Sequence, residues 1–404
     1  MNLSAKDILR TCSSLSKQLI ELHHQSKHVG GIKFGDDKWV IISSDEGDAL
    51  DDIPKLLRSI LHHHMPLIPS NLSNEVLLSH LAMMAPGLPI DLLPVLNKAF
   101  AIDPTDRFQD PESLLNEIMN GEERDELRSK TQESSSDFEY EIGFDTHIGR
   151  YKSIFSQTNQ DSFYIAQEQD VILLLVLDGI STSDAGSGDV ASNIARNVIY
   201  QIWEQSKGNL TNASPEEIRE FLMGALNEAN YYICETAKDI AGGSIENKTP
   251  MGTTALLAVV KGSEGMIASL GDSRAYVLTE SGPAILTGDH NLRGEKLRQG
   301  MPIMNEQEGF ALIRYLGHFD LERENAAFPM PDIRTFTILP GESLLMCSDG
   351  LNDYAAKSHY GFGRILSDST QKSSTMEGCW YLTQKANEGG GGDNITTILA
   401  KRLK

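Results

Sequence analysis

The chain is short of cations: 35 lysines and arginines stand against 57 aspartates and glutamates in 404 residues, a net charge of −22. A field of that sign repels phosphodiester backbones and anionic lipid surfaces, so neither nucleic acid nor a membrane is an expected partner. Long apolar runs are missing too. No stretch approaches the roughly 20 apolar residues that cross a bilayer, and residues 1–10 lack the basic-then-apolar layout of a secretory leader, so a cytoplasmic location is expected. Cysteine is scarce. Cys12, Cys234, Cys347 and Cys379 have no paired spacing of the kind that holds zinc or builds a disulfide framework, and buried reduced thiols are expected. No repeat of solenoid period is visible.

What is present is enough apolar residue, 40% of the chain, for two domains with their own cores. Residues 121–137 mix charge with a serine cluster and carry no apolar period, the composition of a linker or a solvated helix end. The expected division is therefore a mainly helical N-terminal domain at 1–120, a linker at 121–137 and a second domain at 138–404. Within the second, 171–177 is a continuous apolar strand. The helix opened at 186–189 places Val190, Ile194, Val198 and Ile202 at i, i+4, with Ala191, Ala195, Ile199 and Trp203 beside them. Ser214-Pro215-Glu216-Glu217 supplies an N-cap, a first-turn proline and an acid three residues on. Strands are expected at 255–260, 266–269, 275–278, 343–347 and 395–400, with a hairpin turn at 261–265, a helix at 374–387 and a flexible surface turn at 389–392. Strands in meander order with grouped helices argue for an α+β sandwich of antiparallel sheets covered by helices.

Four aspartates sit in distinctive short strings: Asn159-Gln160-Asp161, Leu177-Asp178-Gly179, Ser348-Asp349-Gly350 and Gly392-Asp393-Asn394. Three lie where an expected strand stops. Carboxylates gathered at one sheet edge hold hard cations such as Mg²⁺ or Mn²⁺ through oxygen. A single Asp-Gly is most often only a turn, so the set carries the argument.

Together with Gly252-Thr253-Thr254, Gly271-Asp272-Ser273-Arg274, Thr287-Gly288-Asp289-His290 and Asp393-Asn394-Ile395-Thr396, these strings resemble, in order, those of the metal-dependent PP2C (PPM) serine/threonine protein phosphatases of bacterial type. The resemblance runs from about Phe138 to the end. It implies a PP2C-like β-sandwich and a centre of two Mn²⁺ or Mg²⁺ ions, bridged by Asp178. The Gly179 carbonyl would ligate one ion, Asp349 and Asp393 the other, and Asp161 would orient a coordinated water. It also implies a metal-bound hydroxide as nucleophile, a possible third ion at Asp272 and Asp353, and phosphoserine or phosphothreonine in proteins as substrate. Gly252-Thr253-Thr254 reads as structural, and Arg274 as free to pair with Asp272.

The substrate-handling positions depart from that pattern. Family members usually carry an arginine where Ser156 stands, a Gly-Gly-His where Ser181-Thr182-Ser183 stand, and a glutamate where Gln160 stands. Arg150 and Lys152 are the candidate replacements for the phosphate clamp, and Arg314 and His318, in or beside the flap at 292–317, are further candidates. The plainer reading of Arg150 and Lys152 is that both are ordinary exposed charges, and Arg314 more readily packs or pairs with an acid. An alternative function is a weak or inactive metal-binding member that acts as a phosphoprotein-binding module; small phosphoesters are a third substrate class.

Residues 1–120 show a fainter similarity to the C-terminal lobe of protein kinases. It rests on 19–23 followed by His28-Val29-Gly30-Gly31-Ile32-Lys33, on Asp45-Glu46-Gly47, and on 96–115, which contains Asp103-Pro104 and Arg107. With Gly31 at the catalytic-aspartate position and no phosphate-binding lysine, kinase activity is excluded. The region then reads either as a trimmed kinase-like remnant kept for docking, with a cognate serine/threonine kinase or its substrate as partner, or simply as an unrelated helical domain. His62-His63-His64 and His23-His24 read as solvated helix ends, because adjacent helical residues point apart; 39–42 reads as a buried strand.

Overall fold

A computed structural model of the chain describes residues 5–25, 27–35, 38–44, 49–64, 74, 77, 88, 90–101, 103–130, 138–299, 307–320, 325–356 and 359–403. Two five-stranded antiparallel sheets form its centre. The first has the order β12-β7-β6-β5-β4 and the second β3-β14-β13-β8-β9. Their strands are β3 (Tyr140–His147), β4 (Ser162–Glu168), β5 (Val171–Leu177), β6 (Ala255–Lys261), β7 (Glu264–Leu270), β8 (Arg274–Thr279), β9 (Gly282–Ile285), β12 (Asp332–Thr337), β13 (Ser343–Cys347) and β14 (Ile395–Arg402). The short pair β10 (Phe319–Asp320) and β11 (Asn325–Ala326) stands apart, as does the N-terminal hairpin of β1 (His28–Gly35) and β2 (Lys38–Ser44).

The continuous apolar run of β5 follows from burial on both faces. Ile172, Leu174 and Val176 point between the sheets, where they meet Ala275, Val277, Leu344, Met346 and Ile398. Val171, Leu173, Leu175 and Leu177 point outward against two long helices, α5 (Gly188–Leu210) and α6 (Pro215–Ile240). On α5 the fully buried stripe is Ala191, Ala195, Ile199 and Trp203; Val190, Ile194, Val198 and Ile202 are partly covered at its side. Small residues therefore take the closest approach to the sheet. At the start of α6 the Ser214 hydroxyl accepts from the Glu217 amide while Glu217 accepts from the Ser214 amide, a complete capping box. β6 and β7 join through Gly262, at φ +61°, and Ser263.

The outer face of the second sheet packs against α9 (His359–Ser369), α10 (Thr375–Glu388) and α3 (Leu93–Ala99), and the other N-terminal helices, α1 (Ala5–His24), α2 (Ala49–His64) and α4 (Pro111–Lys130), pack on α3 and on one another. One apolar cluster runs from Leu15, Leu56 and Phe100 through to Ile285, Leu345 and Leu399. The segment read as a linker is helical over its first half: α4 continues to Lys130. Arg128, buried within it, is held by Asp91 at 2.9 and 3.0 Å and by Glu342 at 2.7 Å. The remainder, 131–137, lies outside the described residues. Four further sequence expectations need correction. Residues 39–42 do form a strand, but Val40 and Ile42 are each 52% exposed, because among the described residues no sheet stacks on that face of the hairpin. His28–Lys33 also lies in a strand rather than a catalytic-type loop. His23 is not a free helix end: it is mostly covered and bonded to the buried Asp52. Gly391, within the turn read as flexible, is buried, and its carbonyl accepts from the Tyr151 and Lys152 amides. Asp45-Glu46-Gly47 and the side chains of His63 and His64 lie outside the described residues. Arg107 is structural, its Nε donating to the Ala101 carbonyl at 2.8 Å. All four cysteines are buried and unpaired.

Candidate active site

At one edge of the sandwich the chain ends or begins a strand four times with an aspartate. Asp178 follows β5, Asp349 follows β13 and opens α8 (Asp349–Tyr354), Asp161 precedes β4, and Asp393 stands two residues before β14. Asp272 lies in the β7–β8 turn. Asp178, Asp272, Asp349, Asp393 and Gly179 line one cleft of about 380 Å³.

The strand end that carries Asp178 is fixed by its neighbours. The Asp178 carbonyl accepts from the Thr254 amide at 2.8 Å and the Thr253 hydroxyl at 2.9 Å, and the Asp178 amide donates to Thr254 Oγ1 at 3.0 Å. Thr254 Oγ1 also meets Ser273 Oγ at 2.7 Å. Gly179 is required there, since a Cβ would lie 2.3 Å from the Gly188 carbonyl oxygen. Asp161 is held from below: Ser348 Oγ donates to its Oδ2 at 2.8 Å, and the Ser348 hydroxyl also accepts from the Thr396 amide.

The electrostatics are those of too many acids in one place. Burial, then the charges of Asp349, Asp161 and Asp393, push the Asp178 carboxyl far above its usual range. Burial and the charges of Asp272, Asp353 and Asp393 do the same to Asp349. Asp161 is raised to about 6, by burial first, and Asp272 to about 7, by burial and then Asp289. Asp353 is also raised by burial. Oδ1 of Asp161 and Oδ1 of Asp349 are buried without a hydrogen-bond partner. Converging oxygen donors, unsatisfied and mutually repelling, fit hard divalent cations.

A protein-family model described as protein phosphatase 2C matches residues 148–378. The chain belongs to the protein phosphatase 2C family. Among its relatives, the serine/threonine phosphatase stp of Listeria welshimeri is 32% identical over 252 residues, covering 60% of this chain and 90% of that one. The protein phosphatase PhpP of Streptococcus pneumoniae is 27% identical over 261 residues, covering 64% and 96%. In fold, the chain resembles the serine/threonine phosphatase Stp1 of Staphylococcus aureus, with a TM-score of 0.54 at 23% identity over 67% of this chain and 97% of that one. It also resembles the catalytic domain of PstP, solved with two manganese ions, with a TM-score of 0.51 at 20% identity over 66% and 100%. The α+β fold of antiparallel sheets flanked by helices is the phosphatase 2C fold.

Against this family frame, the departures have structural partners. Ser181 and Gln160, two positions that differ from the usual pattern, bond to each other, Oγ to Oε1, at 2.6 Å. Lys152 reaches the Asp393 carboxylate and, at 3.0 Å, Asn394 Oδ1. Arg150 is exposed, its backbone amide donating to Asn387 Oδ1 at 2.7 Å. Ser156 Oγ makes only local bonds among the contacts described, accepting from the Thr158 amide and donating to the Thr158 carbonyl. Arg314 stands away from the cleft: its guanidinium pairs with Asp332 at 2.7 Å, because an acid lies beside it on β12. His318 is held through its backbone by Asn230 of α6, its amide donating to Asn230 Oδ1 and its carbonyl accepting from Asn230 Nδ2. Arg274 pairs bidentately with Asp289, at 2.9 and 2.7 Å, rather than with Asp272.

Two residues at the site were not singled out from sequence. Asn394 ties three segments together, accepting from the Gln160 amide and Lys152 and donating to the Ile148 carbonyl. Ser348 clamps Asp161. Both sit inside the quoted strings, so the strings themselves were the signal.

Proposed function

We propose that this chain hydrolyses phosphoserine and phosphothreonine monoesters in proteins, in dependence on Mn²⁺ or Mg²⁺. The observation that carries the proposal is the convergence of Asp178, Asp272, Asp349 and Asp393 on one cleft with unsatisfied buried oxygens. Asp178, the Gly179 carbonyl, Asp349 and Asp393 would hold two cations, and Asp272 with Asp353 a third. Such ions, when bound, supply the positive charge that activates water and offsets charge on the phosphoryl group.

The chain's own residues do the rest. Thr253 and Thr254 fix Asp178, so that its carboxylate is presented from a rigid strand end. Asp161, locked by Ser348 with its Oδ1 buried and without a hydrogen-bond partner, orients the attacking water. Lys152 and the exposed Arg150 meet the substrate phosphate in place of the arginine replaced by Ser156. The Ser181–Gln160 pair occupies the wall where a histidine acid is usual, so the leaving alkoxide takes its proton from water. Phe310 and Tyr315, which border the cleft, face the peptide around the phosphoresidue.

We further propose that residues 1–130 form a recruiting unit for a kinase or its substrate, supported by the packed helix-loop-helix at 93–130. The substrate class is tested by comparing phosphate release from phosphothreonine peptides, sugar phosphates and nucleotides. The proposal expects the peptides to be preferred by kcat/KM; equal or better rates on small phosphoesters would sink it.

A further inference from the structure

Far along the chain from the acidic cleft residues, three donors from three elements of the N-terminal unit meet at one point. His23 lies in the last turn of α1, His28 opens β1, and Asp52 lies in the first turn of α2. Nε2 of His23 is 2.9 Å, and Nδ1 of His28 3.1 Å, from the same oxygen, Oδ2 of Asp52. All three atoms lie within 4.8 Å of one another. The Asp52 side chain is completely buried, whereas those of His23 and His28 are 19% and 23% exposed. A carboxylate sealed by protein is thus faced by two imidazoles that still reach water.

The other carboxylate oxygen is already engaged. Oδ1 accepts from the Val29 amide at 3.0 Å, and the Lys55 ammonium stands 3.9 Å from it. These contacts fix the plane of the carboxylate and leave Oδ2 to the imidazoles. The two rings meet edge to face, with centroids 6.1 Å apart, so each aims a nitrogen at Oδ2 without stacking on the other. Hydrogen bonding alone satisfies this arrangement if each ring donates. The same three atoms are also the donor set of borderline transition-metal sites, two imidazole nitrogens and a carboxylate oxygen with one position open. A backbone N–H on the far carboxylate oxygen is the outer support such a ligand needs.

We propose that His23, His28 and Asp52 form a binding site for a Zn²⁺-class divalent ion, with the fourth position open to water, that pins α1, β1 and α2 to one another. Nitrogen donors set it apart from the all-oxygen cleft, and it does not rest on the phosphatase reading. Metal binding there contributes to the folding free energy of the N-terminal unit.

The test uses the full chain, stripped with chelator and titrated with Co²⁺ and then with Zn²⁺ in competition. The proposal expects the strong visible absorption of four-coordinate Co²⁺, retained in the Asp178→Asn/Asp349→Asn protein and lost in His28→Gln. It expects Zn²⁺ to bind the His28→Gln site at least about tenfold more weakly, the lower end of what loss of even a supporting contact costs. A wild-type spectrum with only weak six-coordinate bands would overturn it, as would His28→Gln binding the same number of Zn²⁺ ions with unchanged affinity. Should His28→Gln fail to fold, the wild-type Co²⁺ spectrum decides alone.

Discussion

The ammonium of Lys152 bonds to the carboxylate of Asp393, two groups brought together because the Gly391 carbonyl accepts the backbone amides of Tyr151 and Lys152. Lys152 thereby supplies one positive charge to an edge that otherwise gathers aspartates. A cation bound at Asp393 must share that carboxylate with it.

Replacing Lys152 with methionine keeps the aliphatic stem and removes the charge. Mn²⁺ binding, followed by calorimetry, is expected to tighten on the order of tenfold, the scale of one unit charge near a half-buried site. At saturating Mn²⁺ the same variant is expected to raise KM for a phosphopeptide more than it lowers kcat. Unchanged metal affinity and unchanged KM would show that Lys152 serves neither ion nor substrate.

Asp349→Asn should trade activity for stability. The buried Asp349 carboxyl repels Asp272, Asp353 and Asp393, so the neutral amide is expected to raise the melting temperature of the metal-free protein by a few degrees, about 1 kcal/mol for a domain of this size. Its Mn²⁺-dependent rate is expected to fall by about a thousandfold, as when one electrostatic stabiliser is removed. A variant less stable than wild type without metal would refute the repulsion argument.

The pH dependence follows from the same groups. The Asp272 carboxyl is raised to about 7 in the fold, against about 3.9 unfolded. Between those values the folded state keeps a proton that the unfolded state has lost, so stability falls as pH rises, by at most about 1.4 kcal/mol per pH unit for this group. Denaturant unfolding of the metal-free chain from about pH 4 to about pH 7, the window between those two values, should show a shallower decline for Asp272→Asn than for wild type. Parallel curves would exclude a raised Asp272.

Arg128 is the joint between the N-terminal helices and the sandwich, buried between Asp91 and Glu342. Arg128→Met leaves the buried Glu342 carboxylate without its cation and Asp91 with Arg124 alone, at 3.0 Å, and breaking a buried pair in this way typically costs about 3–5 kcal/mol. Chemical unfolding should register that loss. A cost below about 0.5 kcal/mol, the range of ordinary surface substitutions, would mean that α4 is not clamped to β13.

The sequence makes the sandwich legible where burial on both faces leaves an apolar run, as in β5, or where a cap is explicit, as at Ser214. Strands at the sheet edges were harder. β3, β4 and β12 alternate partly exposed polar residues with apolar ones, and that pattern is weak beside a continuous run. The metal-ligand candidates are legible because aspartates after or before strands recur in short strings. The ion pairs around them are not, since Lys152 meets Asp393, Arg314 meets Asp332 and Arg274 meets Asp289 only through tertiary folding. The same holds for His23 and Asp52: helical spacing predicts a solvated His23, and only the turn into β1 brings both to His28.

The most direct test of the central claim is phosphate release from a phosphothreonine peptide by the purified full chain, with Mn²⁺, with EDTA, and with the Asp178→Asn variant in Mn²⁺. The account predicts turnover that needs Mn²⁺ and is lost in the variant. Turnover that survives EDTA or Asp178→Asn, or Mn²⁺ binding with no turnover at all, would contradict it.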